Sequence, residues 1–150
     1  MPGNLQQIIL GLEKAQSGNI VVPQKISVVF QENRLIDSLD VQKNIRLVID
    51  KSQYEFADDL LKAFGLYDVR KKRISKLSGG MQRRVAIIRA IAYGGDALIL
   101  DEPFNGLDNE NKQIAAKIIK REFIDKNKPV LLITHIQEDA QMLNAKTINI

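Results

Sequence analysis

The chain has 150 residues, of which 45% are hydrophobic, with 22 basic and 18 acidic side chains, a net charge of +4 and an isoelectric point near 9.3. This length fits one domain with enough apolar material for a core, and the small basic excess does not choose between nucleotide, nucleic acid and an anionic membrane surface as partner. There is no cysteine and only one histidine, which excludes disulfides and cysteine-based metal sites, argues against zinc, and fits a reducing cytoplasm.

The first forty residues predict a short helix followed by two strands. An apolar stripe at helical spacing marks the helix, formed by Leu5, Ile8, Ile9 and Leu12, with Gly11 near its end. Residues 20–22, before Pro23, and residues 26–30 are short apolar runs typical of strands, the second apolar enough to be buried on both faces. Gln31 then lies at the carboxyl end of a strand, where open α/β sheets place ligand-binding groups. A lone Gln would favour an ordinary strand end.

The middle of the chain predicts helices. An apolar stripe formed by Phe56, Leu60, Leu61 and Phe64 is typical of a helix packed on a core, and Gly65 is placed as its C-terminal cap. The basic residues 70–73 have no interleaved aromatic side chains that would stack on bases. We therefore favour a solvated turn over a nucleic-acid or lipid contact.

Residues 77–84 read Leu-Ser-Gly-Gly-Met-Gln-Arg-Arg and open a helix, since apolar residues recur at helical spacing over residues 81–92. Backbone N–H groups at a helix N-terminus lack intrahelical partners, and Gly79 and Gly80 would let an anion approach them while Ser78 adds a hydroxyl. The pattern indicates a phosphate site. On local grounds, a plain serine cap followed by loop glycines explains it as well.

Two further strands end in polar residues. Residues 97–100 are apolar and run into Asp101 and Glu102, and two carboxylates at the end of a buried strand indicate a site for Mg²⁺ and water rather than a solvated acidic turn. Asp108 is placed to cap a helix with apolar residues at 114–123. Residues 130–134 predict a strand closed by His135, followed by a helix at 136–144 and a strand at 146–150.

These motifs, in this order, resemble those of the ATP-binding cassette (ABC) ATPases over roughly residues 4–150. Gln31 matches the Q-loop, residues 77–82 the LSGGQ signature, Asp101 and Glu102 the Walker B motif, residues 107–108 the D-loop, and His135 the switch histidine. The resemblance implies an α/β fold with a P-loop NTPase-like, mostly parallel but incomplete sheet and an ABC-type helical subdomain. The core would comprise residues 1–38 and 94–150, and the subdomain about 39–93.

The resemblance also implies roles for these residues, with ATP and Mg²⁺ as cofactors. Glu102 would be the general base, His135 would contact the γ-phosphate, and Asp101 would hold Mg²⁺ through water, while Gln31 would contact both Mg²⁺ and the attacking water. In a head-to-tail pair of cassettes the signature would serve the partner's nucleotide. The nucleotide-binding set would be Ser78, Gly79, Gly80, Gln82 and Asp108.

The family's Walker A loop, G-x-x-x-x-G-K-[ST], is missing. None of the nine glycines is followed by lysine, and residues 1–4 stand where the loop would end. The simplest interpretation is truncation at the N-terminus. Because that loop supplies backbone donors and a lysine to the phosphates, the chain alone is expected to have no appreciable ATP affinity.

The resemblance favours the motor subunit of an ABC transporter, with transmembrane permease subunits and a homodimer or intact cassette as partners. No apolar run approaches the roughly 20 residues that span a bilayer. The resemblance implies a cytoplasmic subunit that is peripheral at the inner face of the cell membrane when assembled. Residues 31–41 are similar to importers of nitrate, sulfonates and taurine. The alternatives are a non-catalytic assembly module and, last, a soluble ABC ATPase acting on nucleic acid or ribosomes; no nucleic acid is expected as partner.

Overall fold

A computed structural model of the chain describes residues 2–15 and 17–148. The described part contains three strands and six α-helices joined by short 3-10 turns. In chain order these are α1 (Pro2–Ile9), β1 (Ile26–Val29), α2 (Val41–Arg46), α3 (Tyr54–Ala63), α4 (Gly79–Tyr93), β2 (Ala97–Asp101), α5 (Asn109–Glu122), β3 (Val130–Ile133) and α6 (Gln137–Met142). None of the helices in this part is long and apolar enough to cross a membrane.

The strands form one parallel sheet in the order β1-β2-β3. Val29 of β1 pairs with Leu100, and Asp101 pairs with Ile133 of β3, so all three strands end at the same edge. The central strand β2 is buried until Asp101, which agrees with its continuous apolar sequence. The four residues of β3 are only half-buried.

Helix α4 connects the helical part of the chain to the sheet. The helix packs on α2 and α3 and also on β1. Its buried side chains join one continuous apolar core that includes Ile45, Leu60 and Phe64 on one side and Leu98 and Leu100 on the other. The position of α4, and with it that of its first residue, is therefore set by packing against both the helices and the sheet.

The structure confirms most of the predicted elements. The helices at both ends, the three core strands and the helix after Ser78 are present, and both predicted serine and aspartate caps are formed. Gly65 follows α3 with a φ of +69°, as expected for a C-terminal cap. The α/β fold with a parallel sheet is confirmed, while the division at residues 38 and 94 stays a prediction.

Two predicted strands are wrong. Residues 20–22 form no strand, and Val21 is 98% exposed, because no described strand lies beside them to pair with their backbone groups. The strand predicted at 146–150 is not formed at residues 146–148, and its last two residues lie outside the described part. Both strands were predicted from the local sequence alone, but a strand also requires a neighbour.

Gly95 allows β1 and β2 to approach at their amino ends. A Cβ atom added there would lie 2.4 Å from the backbone nitrogen of Ser27, which cannot move without displacing β1. We expect Gly95→Ala to lower the free energy of unfolding by about 1–3 kcal/mol through overpacking, measured by urea denaturation. Gly79→Ala is the matched control, since no atom lies within 4 Å of its added Cβ, and a comparable loss in both variants would contradict the prediction.

Candidate functional site

The candidate site lies at the edge where the three strands end. The chain leaves β1 into Phe30 and Gln31, leaves β2 into Glu102, and leaves β3 into Thr134 and His135. Parallel pairing forces these segments to the same edge of the sheet, which is where open α/β proteins bind ligands. Four of the predicted site residues, Gln31, Asp101, Glu102 and His135, are brought to this edge.

Glu102 is held by several contacts to the end of β3. Its backbone N–H donates to the Ile133 carbonyl at 2.8 Å. The Thr134 hydroxyl donates to Oε2 and the His135 backbone N–H donates to Oε1, each at 3.2 Å. The His135 ring nitrogen Nδ1 lies 2.5 Å from the same Oε1. The Glu102 side chain is 12% exposed and that of His135 is 77% exposed, so the carboxylate is fixed inside while the imidazole faces outward.

The backbone of Glu102 has an unusual conformation. Its φ of +45° lies in the left-handed region that residues other than glycine rarely adopt, which typically costs on the order of 1–3 kcal/mol. Such a conformation persists only when surrounding contacts determine it. Here those contacts direct the carboxylate towards Thr134 and His135.

Asp101 and Gln31 line a cavity of about 610 Å³, together with Gln6, Gln7, Leu10, Leu12, Phe30, Glu32 and Arg34. Burial raises the pKa of Asp101, the charge of Glu102 raises it further, and Arg83 opposes both. A bound cation would favour the ionised carboxylate, and carboxylate and amide oxygens are the donors that Mg²⁺ prefers. Among the described residues no three His, Asp or Glu side chains are placed so that they could hold a metal ion together. Mg²⁺ is usually bound by one or two carboxylates and keeps several waters.

The signature residues lie at the start of α4. Ser78 caps the helix, its Oγ accepting a hydrogen bond from the Met81 N–H at 3.2 Å. Gly79 and Ser78 are exposed, and a Cβ added at Gly80 would meet the Gly106 carbonyl oxygen at 3.0 Å. This close approach places the helix start against the turn that follows β2.

The side chains of Gln82 and Asp108 contact their own segments. Gln82 donates its amide to the carbonyls of Ile74 and Leu77, at 3.1 and 3.3 Å. Asp108 accepts from the backbone and side chain of Asn111, at 2.8 and 2.9 Å. The same holds for Ser78 and Met81, so the nucleotide-binding roles of these three residues stay predictions.

Sequence reasoning missed Arg83, which is 3% exposed and lies beneath the site. Its guanidinium donates to the backbone carbonyls of Phe30, Gln31, Asp101, Glu102 and Pro103 and to the side chain of Asn33. One signal was available: Arg83 lies four residues before Ile87, on the buried face of α4. A charge on an apolar face indicates a buried polar contact.

The comparisons with known proteins agree on one family. A family profile described as "ABC transporter" matches residues 4–105. The aliphatic sulfonates import ATP-binding protein SsuB 1 of Rhodococcus jostii (strain RHA1) is 35% identical over 150 residues, covering 96% of this chain and 61% of the relative. The taurine import ATP-binding protein TauB of Jannaschia sp. (strain CCS1) is 33% identical over 127 residues, covering 81% and 47%. The chain thus spans between about half and three-fifths of these relatives.

A solved structure shares the fold. The ATP-binding cassette MJ0796, in a dimeric post-hydrolysis state bound to ADP and Pi, superposes with a TM-score of 0.79 at 25% identity. The match covers 94% of this chain and 72% of that one. The similarity therefore extends from β1 through the helical part to β3.

The raised pKa of Asp101 predicts a pH-dependent stability. Between the unfolded value, near 3.9, and the higher folded value, the native state binds more protons than the unfolded chain, so stability falls as pH rises through this window. Asp101→Asn removes this titration. We expect the stability of D101N relative to the parent, measured by urea unfolding, to increase between about pH 3 and about pH 7.

Asp125→Asn serves as the control, since Asp125 is exposed in a turn far along the chain from the site. The stability of the D125N variant relative to the parent should change much less with pH than that of D101N. A relative stability of D101N that decreases with rising pH would contradict the assigned direction.

Proposed function

Because this chain belongs to the ABC transporter family, we propose that it acts as the ATP-binding subunit of an importer, which couples ATP hydrolysis to membrane transport. The observation that carries the proposal is the Glu102 carboxylate held between Thr134 and His135, beside Asp101 and Gln31 at one edge of the sheet. The names of the relatives support import as the direction of transport.

The geometry suits general-base catalysis of phosphoryl transfer to water. In the hydrolysis a water oxygen attacks the γ-phosphorus, the bond to the bridging oxygen breaks, and ADP and phosphate are formed. Glu102 accepts the proton of that water, and the Thr134 hydroxyl and the His135 N–H keep its carboxylate in place. The imidazole of His135 is exposed, so it would be free to contact a phosphate oxygen.

Asp101 and Gln31 are the residues that would hold Mg²⁺. When bound, this ion neutralises charge on the phosphates. The orientation of Asp101 is set by β2, whose last pair joins it to Ile133. Gln31 lies in the loop after β1, and we propose that this loop faces the permease.

The start of α4 supports a second nucleotide contact. Exposed Ser78 caps a helix of 15 residues that begins at exposed Gly79, and its first N–H groups and positive dipole end favour a phosphate. We assign this surface to the nucleotide of a second cassette packed head to tail. The dimeric state of MJ0796 supports such an arrangement in the family.

The chain as given carries no glycine followed by lysine, so it contains no P-loop sequence. Without those donors and that lysine, the triphosphate would contact only the groups at the sheet edge. We therefore propose that ATP binding requires sequence beyond these 150 residues. The assembly-module alternative draws on the same fact and on β3, which pairs on one side only among the described strands.

Calorimetry tests the requirement for the loop. We expect no saturable ATP–Mg²⁺ binding by the 150-residue chain. Binding should appear in a version extended ahead of Pro2 by a strand and a G-x-x-x-x-G-K-[ST] loop, because the loop supplies the missing phosphate donors. A version whose loop lysine is replaced by alanine is the matched control. Saturable binding by the short chain would contradict the proposal.

A second prediction concerns the base. In the extended version, Glu102→Gln keeps the shape of the side chain but removes its proton acceptor, so phosphate release should fall by a factor of roughly 10²–10⁴. ATP binding measured by calorimetry should stay within about twofold, since the base acts in the transition state.

Glu110→Gln is the matched control for this variant. Glu110 is an exposed acid in the first turn of α5, and its replacement should leave phosphate release unchanged. If E102Q hydrolyses ATP as fast as the parent, Glu102 is not the base. In that case the assembly-module alternative gains support.

A further inference from the structure

Arg83 links two segments that are far apart in the sequence. Its Nη1 donates to the carbonyls of Phe30 and Gln31, at 2.6 and 3.2 Å, and to Oδ1 of Asn33 at 3.0 Å. These acceptors belong to the loop after β1, residues 30–33. In the sequence this loop is separated from the second segment, the turn after β2, by the whole helical part of the chain.

The other side of the same guanidinium holds the turn after β2. Nη2 donates to the carbonyls of Asp101 and Glu102, at 3.0 and 2.6 Å, and Nε donates to that of Pro103 at 2.9 Å. The acceptors therefore divide by nitrogen, with Nη1 serving the loop and Nη2 and Nε serving the turn. A guanidinium is planar and its donors point in fixed directions, so a displacement of one segment must rotate or strain the group that holds the other.

We propose that Arg83 is a positioning residue that makes the placement of Glu102 depend on the placement of the loop at residues 30–33. Its functional meaning rests on the proposed role of Glu102 as the base and of the loop as the surface facing the permease. If Glu102 is the base and the loop contacts the permease, a displacement of the loop by the permease would be transmitted to Glu102 through the side chain of Arg83. No nucleotide is needed for the linkage itself.

The conformation of Glu102 makes it sensitive to this linkage. Its left-handed φ must be maintained by its surroundings, and the 2.6 Å bond from Arg83 is received by its own carbonyl. The next carbonyl, that of Pro103, is also bound. Loss of these bonds would allow the backbone to relax and would withdraw the carboxylate from His135.

Burial lowers the pKa of Arg83, and the carboxylates of Asp101 and Glu102 oppose this change. An arginine nevertheless stays charged in proteins. A buried cation surrounded by backbone carbonyls is strongly bound to its position, because any move leaves the charge without acceptors.

Arg89 provides a matched comparison on the same helix. Its guanidinium also binds the loop region, through the carbonyls of Asn33 and Arg34 at 2.8 and 2.7 Å. Burial lowers its pKa as well. Its hydrogen bonds do not include the turn at residues 101–103, so it anchors the loop without linking it to Glu102.

The test uses backbone amide NMR and hydrogen exchange on the 150-residue chain without nucleotide. Arg83→Lys keeps the charge, but a single ammonium cannot reproduce the two-sided set of donors. We expect the Glu102 and His135 amides to exchange about tenfold faster in R83K, because this variant loses hydrogen bonds that hold the turn at residues 101–103. In R89K these two amides should stay within about twofold of the parent. Equal effects in both variants, or none in R83K, would overturn the proposal.

A second measurement separates linkage from mere stability. Asn33→Ala perturbs only the loop side, and in the parent it should shift the Glu102 amide and the imidazole signals of His135, the single histidine. In the R83K background the same substitution should shift them by less than about a third as much. Undiminished shifts in R83K would overturn the proposal. If R83K does not fold, N33A alone decides, since an unmoved Glu102 amide in this variant would also overturn it.

These measurements do not depend on ATP. If the linkage is found but the extended chain neither binds nor hydrolyses ATP, the proposed function fails and the mechanical link stands. If the extended chain hydrolyses ATP but N33A leaves Glu102 unmoved, the function stands and the link fails.

Discussion

Parallel pairing of three strands is the constraint on which the site depends. Because β1, β2 and β3 point the same way, the residues that follow them leave the sheet at one edge, and each proposed reacting group lies at a strand end or within two residues of one. The register is equally important, since a slip by one residue would turn Asp101 and Glu102 to opposite faces from those they occupy. The hydrogen-bonded pairing of the strands therefore determines where the reacting side chains lie.

Many hydrogen-bond acceptors lie at this edge of the sheet, and they require hydrogen-bond donors. Strand ends present carbonyl groups, and Asp101 and Glu102 add two carboxylates close together. Helix α4 supplies the compensation, because its arginines reach the loop after β1 and the turn after β2. A buried guanidinium is costly to desolvate, and here its donors are matched by backbone carbonyls and one side-chain amide. Helix α4, which is capped by Ser78, therefore places positive charge on its buried side and backbone N–H groups at its exposed start.

Sequence patterns identified what is determined locally. The caps at Ser78 and Asp108 follow from hydrogen bonds within three residues, and the central strand follows from its unbroken apolar run. Residues 20–22 had the composition of a strand but no neighbour, which no local pattern reveals.

The partners of Arg83 and the left-handed backbone of Glu102 could not be predicted for a related reason. The partners of Arg83 lie about 20 and about 50 residues away, and all except the side chain of Asn33 are backbone carbonyls, which every residue has. No side-chain pattern in those segments predicts that Arg83 binds there. Nor is residue 102 itself a glycine or an asparagine, either of which would signal a positive φ at that position.

The sheet register also carries a consequence for how the chain reaches this structure. Ile26 pairs with Ala97, so β1 must find a partner some seventy residues away, with the helices between them. Closing so long a loop costs entropy before any ladder bond is formed, and parallel pairing of this kind slows folding. The helical part, built from nearby contacts, can form first. The site residues would then assemble last, when the two distant strands meet.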